Sequence, residues 1–229
     1  MLCFRCRKRE GEFKVGGRLL CAVCAREEVL ARAKSILHQA GVVGWRAAVE
    51  VVVPKGWEAL KDVTALAVRR SCQKCEMSIE VKAVEASDPL DGVWRLIVES
   101  GKTGKPVVAP FTSEFYSALS IYSIVKGVHD YLVFSPPVYS YGNSKVVSPL
   151  SSTTLAELKS FGEFKLETGD GLFAEIFSWL TNYFEASQEQ ARAYWKSYEV
   201  LNRLAKSRCR VCGALVKEGS DLCPRCSAL

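Results

Sequence analysis

Val49-Glu-Val-Val-Val53, stopped by Pro54 and Gly56, is the stretch on which the fold turns. It is a short β-branched run, and behind it Trp57, Leu60, Val63, Ala67 and Val68 share one helical face, so the segment reads strand, turn, helix. The same grammar continues toward the C-terminus. Ile79-Glu-Val-Lys-Ala-Val84 alternates as a half-buried strand does, and Asp88-Pro89 opens a helix with Leu90, Val93, Trp94, Ile97 and Val98 on one side, which Gly101 is expected to cap. Val107–Ala109 reads as a further strand, Thr112-Ser113 introduces a helix carrying Tyr116, Leu119, Tyr122 and Val125 up to Gly127, and Tyr131–Phe134 is a fourth strand candidate. Strands alternating with helices over about 130 residues predict the α/β class, a mostly parallel sheet flanked by helices.

The flanks differ in character. Upstream, Val29, Leu30, Ala33, Ile36, Leu37 and Ala40 recur at helical spacing and stop at Gly41. Downstream, residues 135–152 are rich in Pro, Ser, Tyr and Gly and read as a long loop with one extended piece at Lys145–Val147. Three helices are expected after it: one opened by a capping box of Thr154 and Glu157, one with the apolar stripe Phe173, Ile176, Phe177, Leu180 and Phe184, and one opened by Ser187 and Gln190 that leads to Cys209.

The chain has 229 residues, 48% hydrophobic and 24% charged, an ordinary globular composition. No apolar run approaches the ~18 residues that cross a bilayer, and Cys3, Arg5 and Arg7 stand where a signal peptide would be apolar, so a cytoplasmic protein without membrane contact is expected. All ten cysteines fall in five C-x2-C pairs. Reducing conditions disfavour a disulfide framework, which makes metal thiolate sites the first reading.

Two C-x2-C knuckles joined by a hairpin supply the four tetrahedral ligands that zinc takes. Cys3, Cys6, Cys21 and Cys24, with the Gly16-Gly17 turn between the pairs, are expected to hold one zinc, and Cys209, Cys212, Cys223 and Cys226 a second. The ends are also basic: residues 1–34 carry nine Lys/Arg against four Asp/Glu, and residues 192–229 carry eight against three. Four thiolates and one dication per site reduce the net charge of +6 to about +2, yet each arm stays positive. Arg5, Arg7, Lys8 and Arg9 in the first arm, with Lys206, Arg208 and Arg210 in the last, are therefore candidate nucleic-acid contacts; the alternative is a solvated basic face.

Cys72-Gln-Lys-Cys75 has no partner pair. A redox or sulfur-carrying dithiol, two ligands of an iron–sulfur cluster completed elsewhere, half of an intersubunit zinc site and a vestige without chemistry all remain open. Ser100-Gly-Lys-Thr-Gly-Lys105 imitates a phosphate loop but follows a helix instead of preceding one, so its orphan groups are carbonyls, and a surface turn is expected. His38 and His129 are isolated from any ligand spacing.

The order of parts resembles the cytoplasmic tRNA 2-thiolation proteins, relatives of the PP-loop ATP-pyrophosphatases, in which a cysteine ribbon leads by a helix into a Rossmann-like domain with an internal C-x2-C and on to a C-terminal four-cysteine ribbon. Val147-Ser-Pro-Leu150 with the Thr154–Gly162 segment, and Lys196-Ser-Tyr-Glu-Val-Leu201, are the better local matches. The resemblance implies domains at 1–28 (zinc ribbon), 29–206 (PP-loop-like α/β domain with a helical C-terminal part) and 207–229 (zinc ribbon). Active members carry a Ser-Gly-Gly-Lys-Asp-Ser type loop after the first strand and a Gly-His-Asn stretch with an Asp pair after a later one. Here Pro54-Lys-Gly-Trp-Glu58 and Ala109-Pro-Phe-Thr-Ser-Glu-Phe115 stand in those places, and the third catalytic cysteine expected after Gly162 is missing. The resemblance is thus to the degenerate, noncatalytic subunit, whose implied partners are tRNA and a catalytic PP-loop paralogue, with a ubiquitin-like sulfur carrier a further candidate and a hetero- or homodimer expected. The rivals are a self-sufficient tRNA sulfurtransferase using Cys72 and Cys75, and a general zinc-ribbon nucleic-acid scaffold.

Overall fold

The computed structural model describes residues 1–127, 137–191, 193 and 207–228. In chain order its elements are β1 (Phe13–Val15), β2 (Arg18–Leu20), α1 (Ala22–Gln39), β3 (Ala48–Pro54), α2 (Lys61–Ser71), β4 (Ser78–Val84), α3 (Pro89–Thr103), β5 (Val107–Val108), α4 (Ser113–Val125), β6 (Val138–Tyr141), β7 (Ser144–Val147), α5 (Leu155–Leu158) and α6 (Gly171–Ala186). β3 is buried from Val49 to Pro54, as a central parallel strand covered on both faces must be. Its neighbours are β4 on one side and β5 on the other, both parallel, and the five-stranded order is β4-β3-β5-β7-β6. β7 continues the parallel set and, among the described strands of this sheet, only β6 runs antiparallel, so the fold is α/β with a mostly parallel sheet flanked by helices.

Leaving β3, the chain crosses to one side through α2 and then back past β3 through α3. Right-handed crossovers in opposite directions place α2 and α3 on opposite faces of the sheet. The reversal makes the carboxyl ends of β3 and β5 a topological switch point, the place where open α/β sheets keep their ligands.

Two expectations are corrected here. Gly101 does not cap α3; the helix runs on to Gly104, which takes φ 65° and donates its amide to the Ser100 carbonyl. Gly101 is small for another reason, since a Cβ there would lie 2.8 Å from the Ser144 Oγ of β7. Residues 137–147 are not loop but the β6–β7 hairpin, turned by Gly142-Asn143 with Gly142 at φ 55°. Tyr131–Phe134, His129, Lys206 and the Lys196–Leu201 match lie outside the described residues. Among the described residues no helix is long and apolar enough to cross a membrane.

The first ribbon is tied to the body through Glu157 and through Gln188, whose side-chain amide donates to the Lys14 carbonyl at 2.8 Å. Glu157 completes the capping box with Thr154, accepts the Gly16 amide at 2.8 Å from the hairpin turn, and pairs with Arg32 of α1 at 3.0 Å. Glu157 is almost fully buried and Arg32 largely so, so neutralising the acid strands a guanidinium away from water. Glu157→Gln is expected to cost about 3 kcal/mol, the lower end for breaking a buried pair, read as a lower denaturant midpoint at unchanged m-value.

Candidate metal centres and the filled crevice

In the first ribbon β1 and β2 pair around Gly16-Gly17, with Phe13 opposite Leu20. The hairpin brings Cys21, at the start of α1, over the knuckle that Arg7 closes in a left-handed conformation (φ 54°). The four sulfurs of Cys3, Cys6, Cys21 and Cys24 lie within 4.8 Å of one another, and so do those of Cys209, Cys212, Cys223 and Cys226. A tetrahedron with Zn–S of about 2.3 Å needs sulfurs about 3.8 Å apart. Cys6 and Cys21 are separated by 3.9 Å and Cys212 and Cys223 by 3.5 Å, so both donor sets fit a four-thiolate metal.

The electrostatics of the bare thiols carry the same message. Burial pushes Cys3 up, but the amides of Cys6, Cys21 and Arg5 outweigh it and leave the thiol at about 6. Burial and then the Cys21 sulfur drive Cys24 the other way, to about 12. Burial likewise raises Cys226 to about 11, while the backbone amides around Cys209 overcome its burial and bring it to about 7. Burial first and neighbouring sulfurs second hold Cys24 and Cys226 up, and a dication at the centre of either set would offset both.

The second ribbon docks on the opposite face from the first. Arg225 reaches Asp91 at 3.0 Å and Asp88 at 3.6 Å at the start of α3, where acids complement the helix N-terminus, and the Tyr139 hydroxyl of β6 donates to the Cys212 carbonyl. Gly213, at φ 71°, has no room for a Cβ against Tyr139 and Tyr141.

Arg5, Arg7, Lys8 and Arg9 are all exposed on the first knuckle, and Arg5 pairs with Glu27 at 3.3 Å. Arg208 and Arg210 are exposed on the second ribbon. The structure therefore separates the two basic groups across the sheet instead of joining them. Ser100–Lys105 is a helix end and a turn, as its polarity implied, and His38 hydrogen-bonds the Ser71 carbonyl at 3.0 Å.

Cys72 and Cys75 are joined as a disulfide where α2 ends and the chain turns into β4. They sit at the amino end of the sheet, while the switch point lies at the carboxyl end of β3, about 20 Å away along a seven-residue strand. The pair is thus remote from the place where this architecture does chemistry.

At the switch point the expected cavity is filled. Trp57 follows β3, is 3% exposed, and its ring packs edge-on against Phe111 at 5.7 Å, Phe115 at 4.9 Å and Phe177 at 5.4 Å. Phe111 and Phe115 stack on each other at 3.7 Å. Above them the segment between α5 and α6 crosses the strand ends: Glu167 donates its amide to the Gly56 carbonyl at 2.9 Å, and a Cβ on Gly56 would fall 1.8 Å from the Glu167 carbonyl oxygen. A cavity of about 130 Å³ remains, bordered by Lys55, Ala86, Asp88 and Thr168, well below the ~300 Å³ at which small-molecule pockets begin. Phe177 was legible in the sequence only as part of a helix's apolar stripe and the Glu167 crossing not at all; the Pro54–Glu58 and Ala109–Phe115 stretches were the signals that the site was altered.

Behind this cluster Glu114 is wholly buried at the start of α4, accepting the Leu155 amide at 2.8 Å. Burial holds its carboxyl up at about 7, with Glu157 adding to the shift against the local hydrogen bonds. The native state therefore keeps a proton that the unfolded chain has lost between pH 4.5 and about 7, and stability falls as pH rises through that window. Glu114→Gln is expected to flatten this dependence and to recover up to about 3 kcal/mol at pH 8, measured by urea unfolding at both ends of the window.

The chain is thus an open α/β sheet with a four-cysteine module at each end. It is similar to the U34-tRNA thiolase NcsA from Methanococcus maripaludis, a structure solved with its 4Fe-4S cluster, with a TM-score of 0.69 at 14% identity over 99% of this chain and 95% of that one. At such low identity the likeness defines the fold. No family model and no curated protein sequence matches the chain.

Proposed function

We propose that this chain is a noncatalytic, metal-binding subunit for 2-thiolation of the tRNA wobble uridine, working beside a catalytic PP-loop paralogue. The observation that carries the reading is the crevice: a thiolase frame whose switch point is filled by Trp57 and roofed by Glu167 lacks the room in which ATP would meet a base. The domains are then 1–28, 29–206 and 207–229. The ribbons hold two zinc ions, because closed, buried four-thiolate sites on paired knuckles are the structural type of zinc site and leave no coordination position for chemistry. The neighbour's cluster makes iron–sulfur the competing occupant of such donors. Anaerobic metal analysis separates them: two zinc per chain and no iron supports the reading, and iron with acid-labile sulfide overturns the zinc assignment.

The rival is a tRNA sulfurtransferase in its own right, acting through Cys72 and Cys75. Their position at the amino end of the sheet weighs against it. With purified chain alone, no ATP binding and no base thiolation are expected, whereas capture from the native source recovers tRNA and a PP-loop paralogue. Thiolation by the isolated chain, or capture of neither partner, would overturn the proposal.

A further inference from the structure

Two grooves open on the α1 face and share one residue. The first, about 530 Å³, runs between α1 and α2 and is lined by Arg5, Arg26, Lys34 and Arg70 around Phe161. The second, about 510 Å³, crosses the ribbon hairpin beside Phe4, Arg5, Arg18 and Glu28. Arg5 stands in both, so the two grooves meet at its side chain, and together they are termed the track.

Cations dominate it. Glu27 is matched by Arg5 in a half-exposed pair, worth at most about 1 kcal/mol and readily exchanged for a phosphate. Among the described residues neither Lys34 nor Arg70 is in an ion pair, and both are exposed. Arg26 is oriented instead of free-swinging: its Nε donates to the Ser160 carbonyl and its guanidinium lies 5.7 Å from the Phe161 ring centre. Lys34 is eight residues along α1 from Arg26, about 12 Å, a span that accommodates more than one phosphate.

Phe4 supplies a different chemistry. It is 60% exposed at the tip of a knuckle whose backbone is fixed by the cysteines, with the Arg18 guanidinium 4.9 Å from its ring centre. An exposed aromatic on a rigid support beside arginines is what stacks an unpaired base; paired bases present no face to it.

We infer that this track is an RNA-binding surface selective for RNA with an unpaired nucleotide, in which Arg26, Lys34 and Arg70 hold the backbone and Phe4 stacks a base. It rests on the proposed role in tRNA modification and adds the surface, the residues and the requirement for an open strand. Of the cations lining the two grooves only Arg5 belongs to the basic run visible in the first knuckle.

The test is fluorescence anisotropy with the full chain, using tRNA, an RNA hairpin with an open loop, and the blunt duplex of the same stem. Metal content is measured on every variant. Phe4→Ala is expected to bind the hairpin about tenfold more weakly and the duplex unchanged, with Phe4→Trp retaining wild-type affinity. Lys34→Glu combined with Arg70→Glu is expected to weaken both RNAs and to reduce the slope of log K against log salt by about 1.4. If wild type binds tRNA but Phe4→Ala leaves hairpin affinity intact, or the double variant leaves the salt slope intact, the track is wrong and the subunit role stands. If the variants behave as expected but no PP-loop paralogue is captured, the track stands and the subunit role falls.

Discussion

Cys212→Ser is expected to lower the bound metal from two ions per chain to one and to unfold the second ribbon. Residues 207–228 contribute few apolar side chains of their own, Ala214 being one, so on the proposed reading a bound metal would supply most of the module's folding free energy. For structural zinc that is on the order of 10 kcal/mol, more than the dock on α3 can replace. The docking contacts go with it: Arg225 leaves Asp88 and Asp91, and Tyr139 loses the Cys212 carbonyl. Metal analysis with limited proteolysis reads both effects, and cleavage should concentrate within 207–228 while the sheet stays resistant. A variant that keeps two metals and an uncut ribbon would show that Cys212 is not a ligand. The corresponding Cys24→Ser reaches further into the body, because Cys24 lies on α1 and that helix also carries Arg32 to Glu157.

Trp57→Ala is expected to destabilise the α/β body by about 3–5 kcal/mol, the range for removing a buried large aromatic. The upper end applies, since the indole is the common neighbour of Phe111, Phe115 and Phe177 and holds strand end, α4 and α6 together. For a chain of this size the loss corresponds to about 10 °C in Tm. The variant also tests the crevice: the space vacated is lined by phenylalanines, and the amides of Lys55 and Trp57 are already bonded to the Val84 and Pro54 carbonyls, so no gain of ATP binding is expected. Nucleotide binding by Trp57→Ala would mean that one side chain blocks an otherwise intact site and would overturn the noncatalytic reading.

The legible parts of the sequence were those governed by local rules. The Val49–Val53 run, the alternation at Ile79–Val84 and the capping box at Thr154 report period and hydrogen-bond geometry, which depend on residues a few positions apart. The C-x2-C knuckles are equally local, and the structure gathers them in the two groups expected. Failures came where the controlling partner is distant. Gly101 reads as a cap until Ser144 is seen against it, and 135–152 reads as loop because Gly142-Asn143 lies among so many other turn residues. The charge count showed two basic arms, but not that the sheet lies between them.

What the sequence determined alone is an α/β body with a four-thiolate module at either end, and a first-strand loop in which proline and tryptophan replace small residues. Only the tertiary structure decided what that loop does. Trp57 turns inward because Phe111, Phe115 and Phe177, from elements up to 120 positions away, converge to cover it, and the 163–170 crossing closes over Gly56. It also decided that Cys72 and Cys75 stand at the other end of the sheet. Neither result is encoded in spacing, because the crossover order that brings distant segments to one strand end is settled by packing of the whole chain.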